Sequence, residues 1–335
     1  MSLLGDLAAR KLYRSLSRVF LTASLLVATS PLHAVSTVVE QIEVNARPIT
    51  AFHIGRDATS FGPLEFVGGL EMTSPSRNFG ALSSFRFLEP GGAFVGVADT
   101  GFWFFGAVAR DGEGRPTGLE KFRMERMAGV RKRELDAEGL AVNDDIATVG
   151  FERDHRIVQF RIGSVPMQAP LGELDFLIPA HELRQNRGFE TVAHDPQGRL
   201  VIVSEKSLDR SGNIFAAIID GPDRGVFTVR RDGEFDITDG AFLPDGDLLL
   251  LERSFSFVSG IKMRLRRING ESIAEGQVAD GPVLFTADMG HQIDNMEGLD
   301  VWRREDGALI VSLLSDDNQS ILQRNLYLEF ILHQK

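Results

Sequence analysis

Short apolar runs of four to seven residues recur along the chain, and many are joined in pairs by turns containing Gly, Asp or Pro. The turn sequences include EPGG at 89–92, DPQG at 195–198, LPDG at 243–246 and REDG at 304–307. Pro presets the backbone for a tight turn, whereas Gly and Asp tolerate the left-handed conformations that hairpins use. Runs of this length between such turns are typical of buried strands. The pattern therefore predicts an all-β protein built from hairpins.

Five of these hairpins follow one plan: a small or acidic residue, a strand, a turn, a second strand and an acid. They occupy residues 82–101, 137–155, 189–207, 238–256 and 296–318. Their first polar positions are spaced 55, 52, 49 and 58 residues apart, and lie at Ser83, Glu138, Glu190, Asp239 and Glu297. Hairpins repeating near every 50 residues indicate a β-propeller with one four-stranded blade per repeat. The 301 residues after position 34 predict about six blades, and a two-sheet sandwich is the alternative architecture.

Two further strands flank the repeats. Residues 36–46 form an apolar run before the first hairpin, and residues 322–332 form another after the last. Pairing the N-terminal and C-terminal strands in one blade would satisfy the backbone groups of both and close the ring. We expect this closure.

Acids recur with the hairpins. Besides the first set, acids follow the second strand at Asp99, Glu152, Glu205, Glu252 and Asp316. Equivalent positions of successive blades surround one axis, so up to nine carboxylates would meet at one end of the ring, which we call the mouth. Negative charges at such short distances need positive charge nearby to compensate them. Neighbouring Arg153, Lys206 and Arg253 offer one source of it, and a bound cation offers another.

The ligand set favours a hard cation. Carboxylate and amide oxygens, with no cysteine and no clustered histidines, suit Ca²⁺ or Mg²⁺ better than zinc. The predicted metal ligands are Glu138, Glu190, Asp239, Glu252, Glu297, Asp316 and Asp317. The competing interpretation is that these acids cap turns and pair with basic residues of neighbouring blades without any chemistry.

Charge and composition narrow the class of protein. The net charge of −11 disfavours nucleic acid as a partner, because a nucleic-acid site needs a basic surface. Residues 1–34 have a basic start, an apolar run at 19–28 and a small residue at Ala34, which is typical of a cleaved signal peptide. That run is shorter than a membrane span requires. We expect residues 35–335 to form one periplasmic or secreted propeller domain, monomeric and without a membrane span.

Several reaction classes lack their motifs. The sequence contains no G-x-S-x-G nucleophile elbow, no phosphate-binding glycine loop and no H-E-x-x-H pair. The best-placed histidine is His155, beside Glu152 and Arg153, where it would act as a general acid or base or as a phosphate contact. A histidine in a surface turn is the alternative interpretation.

Longer motifs resemble a known family. The segments DNMEGLDV, LLSDDNQSILQRNLYLEF, DGDLLLLERSFS and DAEGLAV with FERDHRI resemble the exported bacterial group called esterase-like activity of phytase. The resemblance extends from about Val44 to Leu332. It implies a propeller-like fold and hydrolysis of a phosphoester or ester. It also adds Asn295 and Arg324 to the candidate substrate-binding residues Arg153, Lys206 and Arg253. The turn at Ser83–Phe85 and the DDNQS segment depart from the family pattern.

Two functional hypotheses follow. In the first, a metal-assisted hydrolase acts on a small anionic ester, and Glu152, His155 or Glu205 handles the proton. In the second, a non-catalytic propeller of the cell envelope uses its acidic mouth to bind a ligand or another protein.

Overall fold

The computed structural model describes residues 39–130, 135–184 and 188–334. The predicted signal peptide at 1–34 lies outside these residues. The described chain consists of strands and two short 3-10 turns, Ala180–Glu182 and Gly270–Ser272, and it contains no α-helix. Accordingly, none of its described helical segments has the length and apolarity to cross a bilayer. The strands are β1 (Val39–Gln41), β2 (Asn45–Ile49), β3 (Ser60–Phe61), β4 (Leu64–Thr73), β5 (Leu82–Phe87), β6 (Ala93–Ala98), β7 (Phe102–Arg110), β8 (Pro116–Arg126), β9 (Ala137–Asn143), β10 (Ile146–Phe151), β11 (Arg156–Arg161), β12 (Gly172–Leu174), β13 (Phe189–His194), β14 (Leu200–Leu208), β15 (Ile214–Asp220), β16 (Gly225–Val229), β17 (Asp236–Phe242), β18 (Leu248–Ser256), β19 (Gly260–Ile268), β20 (Val278–Ala279), β21 (Val283–Ala287), β22 (Asn295–Arg303), β23 (Leu309–Asp316) and β24 (Asn325–Leu332).

These strands form five sheets, each the blade of a β-propeller. The first blade contains β5–β8 with β1, the second β9–β12, and the third β13–β16 with β20. The fourth contains β17, β18, β19 and β21, and the fifth contains β22, β23, β24, β4 and β2, with β3 beside β4. The first strand of each hairpin repeat (β5, β9, β13, β17, β22) is the innermost of its blade, and each packs against the inner strands of both neighbouring blades. The all-β propeller is confirmed.

The predicted number of six blades is wrong, because the ring has five. The prediction divided the chain length by the repeat length, so that the segment before the first hairpin was counted as a sixth blade. That segment instead supplies β2, β3 and β4 to the fifth blade and β1 to the first.

The fifth blade mixes N-terminal and C-terminal strands, but the pairing differs from the predicted one. Strand β24 pairs with β4, from Asn325 opposite Met72 to Leu332 opposite Leu64. The predicted partner, residues 36–46, is divided between β1 and β2, and β2 lies on the far side of β4. The run in β4 is interrupted by Gly68 and Gly69, which weakens its sequence signal. Only glycine fits at position 69, because a Cβ there would lie 2.6 Å from the Tyr327 carbonyl oxygen.

Apolar side chains fill the seams between blades. Between the first and second blades, for example, Trp103 meets Phe160 edge-on with ring centroids 5.1 Å apart, and Val149 and Phe151 pack in the same buried cluster. Burial on both faces explains why the strands appear in the sequence as nearly continuous apolar runs.

Candidate metal centre and active site at the mouth

A bulge near the start of each inner strand places one residue out of register. In four blades the residue at the bulge is Ser83, Glu138, Glu190 or Glu297. In the fourth blade the shift falls between Ile237 and Asp239, so that the equivalent residue is Thr238. Bulges commonly re-aim a side chain beside a functional site. Three of the five bulges therefore present a glutamate at the mouth.

The second strand of each repeat adds a residue at the same level. Asp99, Glu152 and Glu205 donate their backbone N–H groups to the residues just before the neighbouring inner strands, and Asp316 is the cross-strand partner of Asn295. In the fourth blade the equivalent residue is Arg253, which lies opposite Asp236. The alternation of the acids thus slips by one residue in this blade, and an arginine replaces the carboxylate.

The carboxylates form two overlapping triads. In each triad, one oxygen from every residue lies within 4.8 Å of the others; the triads are Asp136, Glu138, Glu152 and Glu152, Glu190, Glu205. Glu190 and Glu205 are buried. Close carboxylate oxygens from two blades are a donor set that suits Ca²⁺ or Mg²⁺. These clustered carboxylates, which include the predicted ligands Glu138 and Glu190, could therefore bind a metal ion.

Burial and mutual repulsion perturb these acids. Burial, followed by the charges of nearby glutamates, raises the pKa values of Glu138 and Glu190 well above the usual range. Burial together with Glu297 raises the pKa of Asp316 to about 9, and burial and Asp136 raise that of Asp99 to about 6. Without a cation, the raised pKa values of Glu138, Glu190 and Asp316 favour the protonated forms, and a bound metal ion would displace those protons.

Arg253 reduces the excess negative charge on one side of the carboxylate cluster. Its guanidinium lies 3.8 Å from Glu297 and donates to the side-chain oxygen of Asn295. The Asn295 amide donates in turn to Glu297 at 2.6 Å. Burial raises the pKa of Glu297, and Arg253 and Asn295 oppose that rise. The structure thus brings together two predicted substrate-binding residues, Arg253 and Asn295, with a predicted metal ligand.

Asp239 lies apart from the carboxylate triads. It is fully buried and accepts hydrogen bonds from Arg86 on both oxygens, at 2.8 and 2.9 Å, and from the N–H of Leu299. Arg86 also donates to backbone carbonyls of the inner strands β13, β17 and β22. We call this ion pair the axial pair. The assignment of Asp239 to the metal set is corrected here, because successive strand residues face opposite ways and Thr238 takes the mouth position.

Glu252 is also displaced from the mouth by the slip in the fourth blade. Its oxygens accept from Arg264 and, at 2.6 and 2.9 Å, from Arg266 within β19. All three side chains are buried. Its place in the predicted metal set is likewise corrected, since two arginines already neutralise it inside the blade.

The other basic side chains of the predicted substrate-binding set already form ion pairs. Arg153 donates to Asp136 at 2.8 Å and Lys206 to Asp236 at 2.5 Å. Arg324 lies 3.5 Å from Asp294 and 3.6 Å from Glu71. Arg153 remains next to the mouth, because Asp136 belongs to a triad.

Asp317 and His155 have local partners. Asp317 accepts from the N–H of Ala81 and the amide of Asn325, so it ties the loop after β23 to the first blade. His155 hydrogen-bonds through Nε2 to the Arg184 carbonyl at 3.1 Å, and burial lowers its pKa. This bond is to a backbone carbonyl of a surface loop rather than to a mouth carboxylate.

Sequence reasoning missed two residues. Asp136 precedes Glu138 in the DAEG segment, and its position just before the bulge was the available signal. Arg86 lies in a plain strand, where nothing in the sequence marks it as an axial residue.

The chain is similar to one protein family and, more distantly, to several solved structures. Residues 77–319 match the family described as Phytase-like, esterase-like activity of phytase. Glutaminyl cyclase from Myxococcus xanthus is 12% identical, with a TM-score of 0.45, over 81% of this chain and 97% of that one. For endo-arabinase from Bacteroides thetaiotaomicron the identity is 12% and the TM-score 0.42, over 74% and 95%. PQQ-bound aldose sugar dehydrogenase from Streptomyces coelicolor gives 12% and 0.39, over 86% and 98%.

No curated protein sequence matches. The three structures are too distant to bear on activity. The family match is of a different kind, because it covers most of the chain and includes the mouth residues from Asp99 to Asp317. The chain belongs to the phytase-like family whose description is esterase-like activity of phytase.

Proposed function

We propose that the mouth binds a divalent cation, Ca²⁺ or alternatively Mg²⁺, and that the protein hydrolyses a phosphate monoester or a related small ester there. The observation that carries the proposal is the pair of carboxylate triads that share Glu152. A cation held between the two triads would have Asp136, Glu138 and Glu152 on one side of it, and Glu190 and Glu205 on the other. A bound cation would neutralise anionic substrate oxygens and polarise the reacting centre.

The protein's own groups suit the remaining tasks. Arg253, held by Asn295 next to Glu297, offers a guanidinium to an anionic oxygen of the substrate. Hydrolysis adds the oxygen of one water molecule to phosphorus or to the carbonyl carbon, and the bond to the leaving oxygen breaks. The attacking water gives up a proton, and the acceptor would be whichever of Glu152 and Glu205 is not bound to the cation. The leaving oxygen gains a proton, and Asp316, with a pKa of about 9, holds one at neutral pH.

A screen of purified protein tests this function. We expect release of phosphate or alcohol from phytate or from simple phosphate or carboxylate esters when Ca²⁺ or Mg²⁺ is present, and loss of turnover with a chelator. Glu190→Gln should lower kcat/KM by roughly 100-fold or more, because it removes a ligand of a shared site. The matched control is Glu113→Gln, an exposed acid paired with Arg115 in a surface turn, which should leave turnover unchanged. Turnover that persists unchanged in chelator contradicts the metal-assisted mechanism.

A non-catalytic binding propeller is the second candidate. It is favoured by the ion pairs that already occupy Arg153, Lys206 and Arg324, which leave fewer cations for a substrate phosphate. In that case Ca²⁺ should raise the melting temperature of the wild type but not that of Glu190→Gln, while no ester is hydrolysed.

We also propose a periplasmic or secreted location and a monomeric state. The support for the location is the sequence of residues 1–34. Mass spectrometry of the protein recovered from its natural host would show whether the chain begins after Ala34.

A further inference from the structure

Six large apolar side chains are exposed at the mouth end of two neighbouring blades. They belong to the β18–β19 hairpin of the fourth blade, to the β21–β22 loop that joins the fourth blade to the fifth and to the β23–β24 loop of the fifth, and they are Phe255, Phe257, Val258, Met289, Ile321 and Leu322. These are half of the 12 exposed large apolar side chains in the described parts of the chain. Phe257, Val258 and Ile321 are about fully exposed, at 99%, 99% and 101%. Such a concentration marks an interaction surface.

Strand direction places these residues beyond the mouth. Strand β18 rises from its turn at 243–247 to mouth level at Arg253, and the chain continues outward through Phe255 to the hairpin tip at 257–259. Strand β23 likewise ends at Asp316, and Ile321 lies in the loop that follows. The inner strands β17 and β22 pack together, so that the two loops belong to adjacent blades.

The hairpin of the fourth blade is layered along its length. Residues 254–261 contain no ionisable side chain. Below them, Lys262 pairs with Glu234 at 3.1 Å, and Arg264 pairs with Asp232 at 2.8 Å. The tip is held in shape by Ser256, whose hydroxyl bonds with that of Ser259 at 2.7 Å and accepts the Ser259 N–H at 2.9 Å. From the tip inward, the hairpin therefore passes from an apolar segment, braced by the Ser256 and Ser259 hydroxyls, to a charged belt.

We infer that this face docks on a lipid surface. Exposed apolar tips on separate loops fit the boundary between headgroups and acyl chains, which adapts to any shape, while the charged belt stays in water. The belt carries as many acids as bases and the whole chain has a net charge of −11, so zwitterionic rather than anionic lipid is the matching surface. Because Ser256 preorganises the turn, docking does not have to order it. Docking would hold the mouth against the bilayer.

The absence of cysteine from the chain allows a site-specific test. Ile321→Cys in the full chain is labelled with an environment-sensitive fluorophore and mixed with phosphatidylcholine vesicles. We expect a blue shift and brighter emission that persist in high salt. The same label at Val165→Cys, an exposed residue outside the two loops, should not respond. Equal responses at both positions, or none at position 321, would overturn the inference.

Removal of the tip tests its contribution. In the labelled Ile321→Cys protein, Phe257→Ser with Val258→Ser should lower the vesicle partition coefficient by about tenfold or more, since two apolar side chains are lost. Val165→Ser with Leu171→Ser removes two exposed apolar side chains elsewhere, 64% and 53% exposed, and should leave partitioning unchanged. Equal partitioning of the two variants contradicts lipid docking by the tip. A blue shift that grows with protein concentration without vesicles would instead show that a second copy covers this face.

Discussion

Asp239 and Glu297 are both acids of inner strands, yet their surroundings give them opposite roles. Asp239 is neutralised by Arg86 and by backbone N–H groups, and the pair joins four of the five inner strands through β5, β13, β17 and β22. Glu297 lies beside Arg253 in a cluster with excess negative charge. One acid belongs to the framework, and the other to the mouth.

This difference predicts different effects of removing each charge. Asp239→Ala should lower the free energy of unfolding by about 3–5 kcal/mol, because it leaves the buried Arg86 guanidinium without its partner. Glu297→Gln should leave stability without added metal unchanged or higher, because it relieves repulsion among the carboxylates. Urea unfolding of both variants in chelator measures the two effects. Equal destabilisation by the two substitutions would mean that Glu297 is also a framework residue.

At the scale of elements, β8 carries an acid into the seam between the first and second blades. Glu125 is fully buried opposite Trp103 of β7. One of its oxygens accepts the Met167 N–H at 3.1 Å, and the other has no hydrogen-bond partner among the described residues. Burial raises the pKa of Glu125, and the Met167 N–H and Arg123 oppose the rise. The seam thus holds a proton more tightly than the unfolded chain does.

The raised pKa predicts how stability depends on pH at this seam. Because the folded state binds the Glu125 proton more tightly, stability from this group falls as pH rises from about 4.5 through the folded pKa. Glu125→Gln keeps the acceptor for Met167 and removes the charge. It should match the wild type near pH 4 and exceed it by about 1–2 kcal/mol at pH 8. Urea unfolding across this range measures the difference, and Glu120→Gln on the exposed face of β8 is the control. A difference that does not vary with pH would contradict this origin.

At the scale of the whole molecule, one strand pair closes the ring. Strand β24, near the C-terminus, pairs with β4 from the N-terminal segment, whereas each of the other four blades takes its four innermost strands from one stretch of the chain. Separation of β24 from β4 would expose two strand edges and divide the fifth blade into its C-terminal strands and its N-terminal strands.

A covalent link at this closure should stabilise the entire propeller. Glu65 and Ile331 are cross-strand partners and are both half-buried. The double variant Glu65→Cys, Ile331→Cys introduces the only two cysteines of the chain. Its oxidised form should be more stable than its reduced form by about 2–4 kcal/mol, because the crosslink restricts the unfolded chain over most of its length. Thermal unfolding with and without reductant gives the comparison. Equal melting temperatures for the oxidised and reduced samples would contradict stabilisation by a crosslink at this pair.

The sequence predicted most of what depends on local pattern. The hairpins, their turns and the propeller class follow from apolar runs and turn residues, and Glu138 and Glu190 follow from the period. The slip in the fourth blade could not be predicted, because TDG and MEG look alike in sequence while the bulge in β17 falls one residue earlier. The blade number and the β24–β4 pairing depend on which distant strands meet, and the two glycines in β4 conceal a strand that makes this pairing.

Arg253 gives the slip in the fourth blade a stereochemical meaning. If all five blades presented the same group, a ligand at the centre could bind in several equivalent orientations about the propeller axis. Arg253 is the one arginine among the five second-strand positions at the mouth, and it removes that degeneracy. An unsymmetrical anion bound at the mouth would therefore have one preferred orientation about the propeller axis.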